Sequence, residues 1–201
     1  MKRSTFFFLF FLLFSCSSED GTLEQLYTDG QIKNRVVVEG GKPVLREDFY
    51  ENGTLQSKTI YKNGYLHGFT EYYYKNGNLK GVGEWRGSKL NGRYEDYYEN
   101  GQLRKKTTMI DNKMNGIIET YYENGEIESS GNIKDDAYEG QVTVFPEDKK
   151  WEYAYTTAVY KKGKANGLNI SYKQDGTEHS RRCFLKAVSY THLTLPTILL
   201  V

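Results

Sequence analysis

The side chains able to do covalent or acid–base chemistry in this chain are few. Two cysteines, Cys16 and Cys183, and three histidines, His67, His179 and His192, are the whole stock of thiols and imidazoles in 201 residues. No two of them have the spacing of a metal-ligand pair or of a nucleophile beside its base. His67 precedes Gly68 at a position that holds Asn91, Asn115, Glu139 and Asn166 elsewhere in the chain, so turn chemistry accounts for it. Carboxylates recur instead, with Glu47, Glu71, Glu95 and Glu119 stepping by 24 residues. An acid–base pair for glycoside hydrolysis is built once, not once per copy, so these acids read as solvated positions. Cys183, after Arg181 and Arg182, reads as a buried free thiol in the last strand. The expectation is a chain that is not an enzyme and holds no cofactor or metal.

Cys16 is the exception. Lys2 and Arg3 precede a nine-residue apolar run, Phe6 to Phe14, too short to span a bilayer and suited to a secretory signal. The run closes on Leu13-Phe14-Ser15-Cys16, which resembles the bacterial lipobox, with Phe14 in place of the usual small or β-branched residue. The resemblance implies cleavage before Cys16 and acylation of its thiol; an ordinary signal peptide or an uncleaved anchor is the competing reading. Ser17, Ser18, Glu19 and Asp20 suit a solvated tether and resemble a signal for export to the outer face of a Gram-negative outer membrane. A lipid-anchored protein of the cell envelope is expected, meeting the membrane through that N-terminal lipid.

Composition bounds the rest. Hydrophobic residues make up 38% and charged residues 26%, with 20 Gly, 18 Tyr and only three Pro, so aromatic rings must supply much of the apolar area. Without residues 1–16 the chain keeps 25 basic and 26 acidic side chains, interspersed in sign. Nucleic acid is therefore not an expected partner.

The elements that organise these residues are copies of one unit. Asn-Gly recurs at 52/53, 76/77, 100/101 and 124/125, and a second glycine series at Gly68, Gly92, Gly116 and Gly140; both step by 24 residues. Gly167 and Asp175-Gly176 continue them after a copy three residues longer, between Lys149 and Gly167, while Asp29-Gly30 and Gly40-Gly41 look like a degenerate first copy. Asn-Gly between alternating runs predicts two-residue type I′ hairpins, with Gly53, Gly68, Gly77, Gly92, Gly101, Gly116, Gly125, Gly140, Gly167 and Gly176 all as turn glycines. Three ladders are expected to bury one face: Phe49/Tyr73/Tyr97/Tyr121/Phe145/Tyr172, Ile32/Leu55/Leu79/Leu103/Ile127/Trp151 and Tyr61/Trp85/Met109/Ile133/Tyr160. A fourth row, Tyr50, Tyr74, Tyr98 and Tyr122, falls one residue after the first and so on the opposite strand face. It reads as cross-strand pairs that stabilise the sheet, as a face covered by a twisted sheet curling over itself, or as an exposed binding surface.

The segment Tyr61 to Gly68, with Leu90-Asn91-Gly92 and Met114-Asn115-Gly116, resembles the bacterial variant of the MORN repeat. Tyr97-Tyr98-Glu99-Asn100-Gly101-Gln102-Leu103, echoed from Tyr121 to Ile127, resembles the YwqK family of antitoxins. The resemblance implies an all-β, elongated, single-layer twisted sheet, an antiparallel meander of hairpins with no catalytic residues. It also implies a protein partner, a toxin in the sharpest version.

Val188 to Thr197 is what GTC TCT TAT ACA CAT CTG ACG CTG CCG ACG encodes, and it resembles the translated end of a transposase-based sequencing adapter. Natural sequence is then expected to stop near Lys186, leaving the last repeat strand with an unpaired edge and His192 without functional weight. The expected organisation is a signal over 1–16, a tether over 17–27, repeats over 28–186 and an adapter-derived tail over 187–201. The leading functional expectation is a protein-binding or scaffolding lipoprotein. Glycan stacking on the tyrosine rows is the alternative, and lipid contact through the repeats comes third, disfavoured by the near-neutral charge.

Overall fold

The computed structural model describes residues 20–148, 150, 152–185 and 188–190. They form one open antiparallel sheet of fifteen strands in sequence order. The strands are β1 (Gly21–Leu26), β2 (Ile32–Glu39), β3 (Lys42–Phe49), β4 (Leu55–Lys62), β5 (Tyr65–Tyr73), β6 (Leu79–Arg86), β7 (Lys89–Tyr97), β8 (Leu103–Ile110), β9 (Lys113–Tyr121), β10 (Ile127–Lys134), β11 (Ala137–Val144), β12 (Tyr155–Lys161), β13 (Lys164–Tyr172), β14 (Glu178–Leu185) and β15 (Val188–Tyr190). The expected all-β meander is the observed fold, with two corrections at its ends. Six residues of the expected tether form β1, paired with β2 from Gly21↔Val38 to Leu26↔Ile32. The edge of β14 is not bare, because Cys183, Phe184 and Leu185 pair with Tyr190, Ser189 and Val188. Cys16 lies outside the described residues.

The two edges of the sheet carry different turns, and the recurring Asn-Gly pairs at 52/53, 76/77, 100/101 and 124/125 do not form the two-residue turn expected of them. At Tyr50-Glu51-Asn52-Gly53 the Gly53 amide donates to the Tyr50 carbonyl at 2.9 Å and the Tyr50 amide to the Thr54 carbonyl at 2.8 Å. Positive φ is confined to the glycine, 79° at Gly53, and Asn52 stays out of that region. This is a three-residue loop, a type I turn closed by a glycine bulge, repeated at Gly77, Gly101, Gly125 and Gly176. The asparagine is retained for its side chain, since Asn52 Oδ1 accepts from the Thr54 amide at 3.1 Å. The two-residue turns lie on the other edge, where both central residues have positive φ: Asn63-Gly64, Gly87-Ser88, Asp111-Asn112, Asp135-Asp136 and Lys162-Gly163.

Gly68, Gly92, Gly116, Gly140 and Gly167 are corrected in the same way. They lie inside β5, β7, β9, β11 and β13, not in turns. Gly68 sits where the β4–β5 register jumps, between Thr59↔Thr70 and Tyr61↔Leu66, so it belongs to a bulge. The bulge frees the backbone two residues upstream for the next hairpin. The Leu66 carbonyl accepts from the Ser88 amide at 3.0 Å, Leu90 from Asn112 at 3.0 Å and Met114 from Asp136 at 3.1 Å. Side chains return the bond, Asn112 Oδ1 accepting from the Leu90 amide and Asp136 Oδ1 from the Met114 amide, each at 2.8 Å.

The tyrosine row performs the same linkage on the first edge. The hydroxyls of Tyr50, Tyr74, Tyr98 and Tyr122 each donate to a backbone carbonyl 23 residues on, those of Tyr73, Tyr97, Tyr121 and Phe145, at 2.7 to 2.8 Å. The rings are half-buried and sit in the turns, one residue past the strand ends. They are neither a free surface nor cross-strand pairs. Asn76 and Asn100 add bonds from Nδ2 to the carbonyls of Glu99 and Glu123 at 3.0 and 2.9 Å.

The expected ladders also divide between faces. Thr107 and Met109 of β8 are buried on one face, here the inner one, with Ile118, Ile133, Val142 and Ala158. Glycine is required there by close approach: a Cβ on Gly131 would stand 2.8 Å from Val142 Cγ2. The Phe49/Tyr73/Tyr97/Tyr121 ladder lies on the opposite, outer face, as its bonds to glutamates of that face show. Among the described residues no second layer covers this sheet, and shelter for the inner row comes from taller neighbours such as Trp85 and Tyr94.

Tyr98→Phe deletes one inter-repeat bond while keeping the ring. It is expected to cost about 1 kcal/mol, read as a lowered urea midpoint at unchanged slope; an unchanged midpoint would show that the hydroxyl does not link the repeats.

Candidate interaction surface

The outer face is organised by register. Glu24, Arg35, Glu47, Lys58 and Glu71 stand directly opposite one another across five successive strands. After Val82 the row continues as Glu95, Lys106, Glu119 and Ser130. The recurring glutamates are thus rungs of a charge ladder, where opposite signs facing across strands contribute roughly 0.2–1 kcal/mol per pair. Arg35 reaches Glu24 at 2.8 Å and Glu47 at 3.3 Å, and Lys106 reaches Glu119 at 2.6 Å.

Aromatic hydroxyls complete the ladder. Tyr73, Tyr97 and Tyr121 donate to Glu71, Glu95 and Glu119, two residues upstream, at 3.0, 2.5 and 2.6 Å. Lys106 also lies over the Tyr121 ring, 5.7 Å from its centroid. These bonds favour the ionised acids and the neutral phenols. The Arg93 guanidinium, with Tyr97, holds Glu95 below the ordinary carboxylate range, and Lys106, with Tyr121, does so for Glu119. Burial, then Glu71, pushes the Tyr73 phenol up to about 12.

Beside the ladder runs a row with apolar residues open to solvent. Register carries it through Leu45↔Ile60, Phe69↔Glu84, Arg93↔Thr108, Ile117↔Asn132, Gln141↔Val159 and Leu168↔Cys183. Phe69 is 42% exposed and Ile117 62%, large values for apolar side chains on a sheet face. This row is the surface that sequence reasoning missed. Its signal was present in Phe69, Arg93 and Ile117, which share one repeat position two residues before the recurring glutamates.

His67 is exposed in the β5 bulge and Cys183 is a half-buried free thiol. Among the described residues no three His, Cys, Asp or Glu side chains converge on a metal-sized site.

Tyr73 is also the group through which alkali should loosen the sheet. Its folded-state pKa of about 12 lies above the ordinary 10.0. The stability it contributes is therefore complete below about pH 10 and lost as pH rises toward about 12. Phenolate absorbance followed with the urea midpoint should show this loss, and Tyr73→Phe should lessen it.

No curated protein matches the chain. Residues 44–63, 90–111 and 114–135 match the family model of the MORN repeat variant, the latter two spanning one strand, a glycine-bulge turn and the next strand. Over these three stretches the hairpin array is similar to repeats of the MORN variant.

Proposed function

We propose that this chain is a non-catalytic scaffold whose outer sheet face docks a protein partner at the cell envelope, where a lipid on Cys16 holds it to the membrane. The observation that carries the reading is the pairing on one face of a braced charge ladder with a row of exposed apolar side chains, Phe69 and Ile117 among them. Apolar anchors supply contact area, and ion pairs beside them set register and reject wrong partners. MORN-type repeats suit this role, since a quasi-one-dimensional array offers an extended surface without a deep cleft.

Toxin neutralisation is the sharpest form of the proposal, because masking a toxin needs only a surface. The glycan alternative loses its original support, since the turn tyrosines are half-buried and Lys75 and Lys80 lie over the rings of Tyr50 and Tyr74.

The test is rescue of cells expressing a toxin encoded beside this chain, together with co-purification of that toxin. Phe69→Glu with Ile117→Glu is expected to weaken capture at least about tenfold, whereas Tyr98→Phe should leave it intact. Equal capture by the double variant would remove the outer face from the interface. Failure of rescue with capture intact would remove the neutralising role alone.

A further inference from the structure

The longer copy carries a second kind of surface, independent of the outer face. β11 and β12 are joined by residues 145–154, where other copies use a short turn such as 50–54. Pro146 stands where the linking tyrosine would be, and Lys173 replaces it in the next turn. The extra chain brings Tyr153 onto the sheet, where its ring stacks against His179 with centroids 6.3 Å apart and planes 28° apart.

His179 is the additional residue of a bulge, between Ser171↔Ser180 and Tyr172↔Glu178. The same bulge earlier in the array holds Lys33 and Lys80, which lie over the turn tyrosines Tyr27 and Tyr74. In the longer copy an inserted tyrosine takes the place of the turn tyrosine, and the stacked pair walls a depression of about 350 Å³.

The floor of that depression is polar. Thr156, Ser171 and Ser180 stand opposite one another, as do Ala158, Asn169 and Arg182. One and two strands before Ala158 the latter row is Val142 and Gly131. Thr156 and Ser171 share a hydrogen bond of 3.0 Å. The side chains of Asn169 and Arg182 have no hydrogen bond or ion pair among the described residues, whereas neighbouring Arg181 is held by Glu178 at 2.6 Å. Glu152 is 77% exposed and faces His179 at 3.8 Å.

We infer that this depression binds a single sugar-acid unit, a hydroxylated ring bearing a carboxylate. The unpaired guanidinium of Arg182 offers a planar fork for the carboxylate. Asn169 and the three hydroxyls match ring hydroxyls in both donor and acceptor sense, and the Tyr153–His179 wall takes the C–H face of the ring. The volume lies at the low end for ligand pockets, which run roughly 300–1,000 Å³, and suits one ring.

The test is calorimetric titration of the full chain with glucuronate. A Kd on the order of 1 mM is expected for so open a site. Arg182→Ala and Asn169→Ala should each weaken binding, the former about tenfold through loss of a charge-assisted pair, and glucose should bind about tenfold more weakly than glucuronate. Lys105→Ala, on the same face but outside the depression, should change nothing. Absence of saturation by glucuronate, equal binding of inorganic phosphate, or unchanged affinity in both variants with the urea midpoint preserved would each overturn the assignment.

Discussion

The hydrogen bond from a turn tyrosine to a carbonyl 23 residues further on is the constraint on which the rest of this sheet depends. A single layer cannot close a core as a sandwich does, because one of its faces always remains open to water. Cooperativity must then come from bonds between neighbouring hairpins, beyond the ladder within each. The array makes them on both edges, with tyrosine and asparagine on one and with two-residue turns seated on glycine bulges on the other. Each turn is thereby oriented by its neighbour. The charge ladder thereby stays in register over many strands.

This linkage explains why the motif residues are motif residues. Glycine at the bulge is a backbone requirement: at Gly92, φ is 134° and a Cβ would collide with the Glu84 side chain. Tyrosine in the turn is needed for the reach of its hydroxyl, and asparagine for an oxygen that accepts within its own turn while its nitrogen reaches the next. With these groups assigned to the edges, the two faces are released from holding the array together. The inner face becomes tightly packed and low in volume, and the outer face can vary.

Much of the fold was legible because its period is unbroken through four copies and because Asn-Gly is a strong hairpin signal. The errors share one cause: sequence spacing gives the period but not the phase. Asn-Gly predicts a two-residue turn, whereas the strand ends one residue before Tyr50 and the loop takes three residues. That one-residue difference moves the tyrosine from a strand face into the turn. The two-residue turns on the other edge have no common residue pair, being Asn63-Gly64 in one copy and the glycine-free Asp111-Asn112 and Asp135-Asp136 in others, where Asn and Asp tolerate positive φ better than most residues. β1 was hidden because all six of its residues are exposed, so no hydrophobic alternation marks it. The outer surface was half legible. The glutamate period was plain, but its partners Arg35, Lys58 and Lys106 are fixed by cross-strand register, which no local pattern contains.

The interruption of the period is as informative as the period itself. In the regular copies the turn tyrosine is bonded forward and the acids of the ladder are paired. Where Pro146 replaces the tyrosine, a longer connection joins the strands, and beside it stand polar side chains of β13 and β14, of which Asn169 and Arg182 have no side-chain partner among the described residues. A repeat array tolerates such a lapse because each hairpin leans on its neighbours and not on a common core. The loss is local, and the side chains it frees are the ones available for recognition.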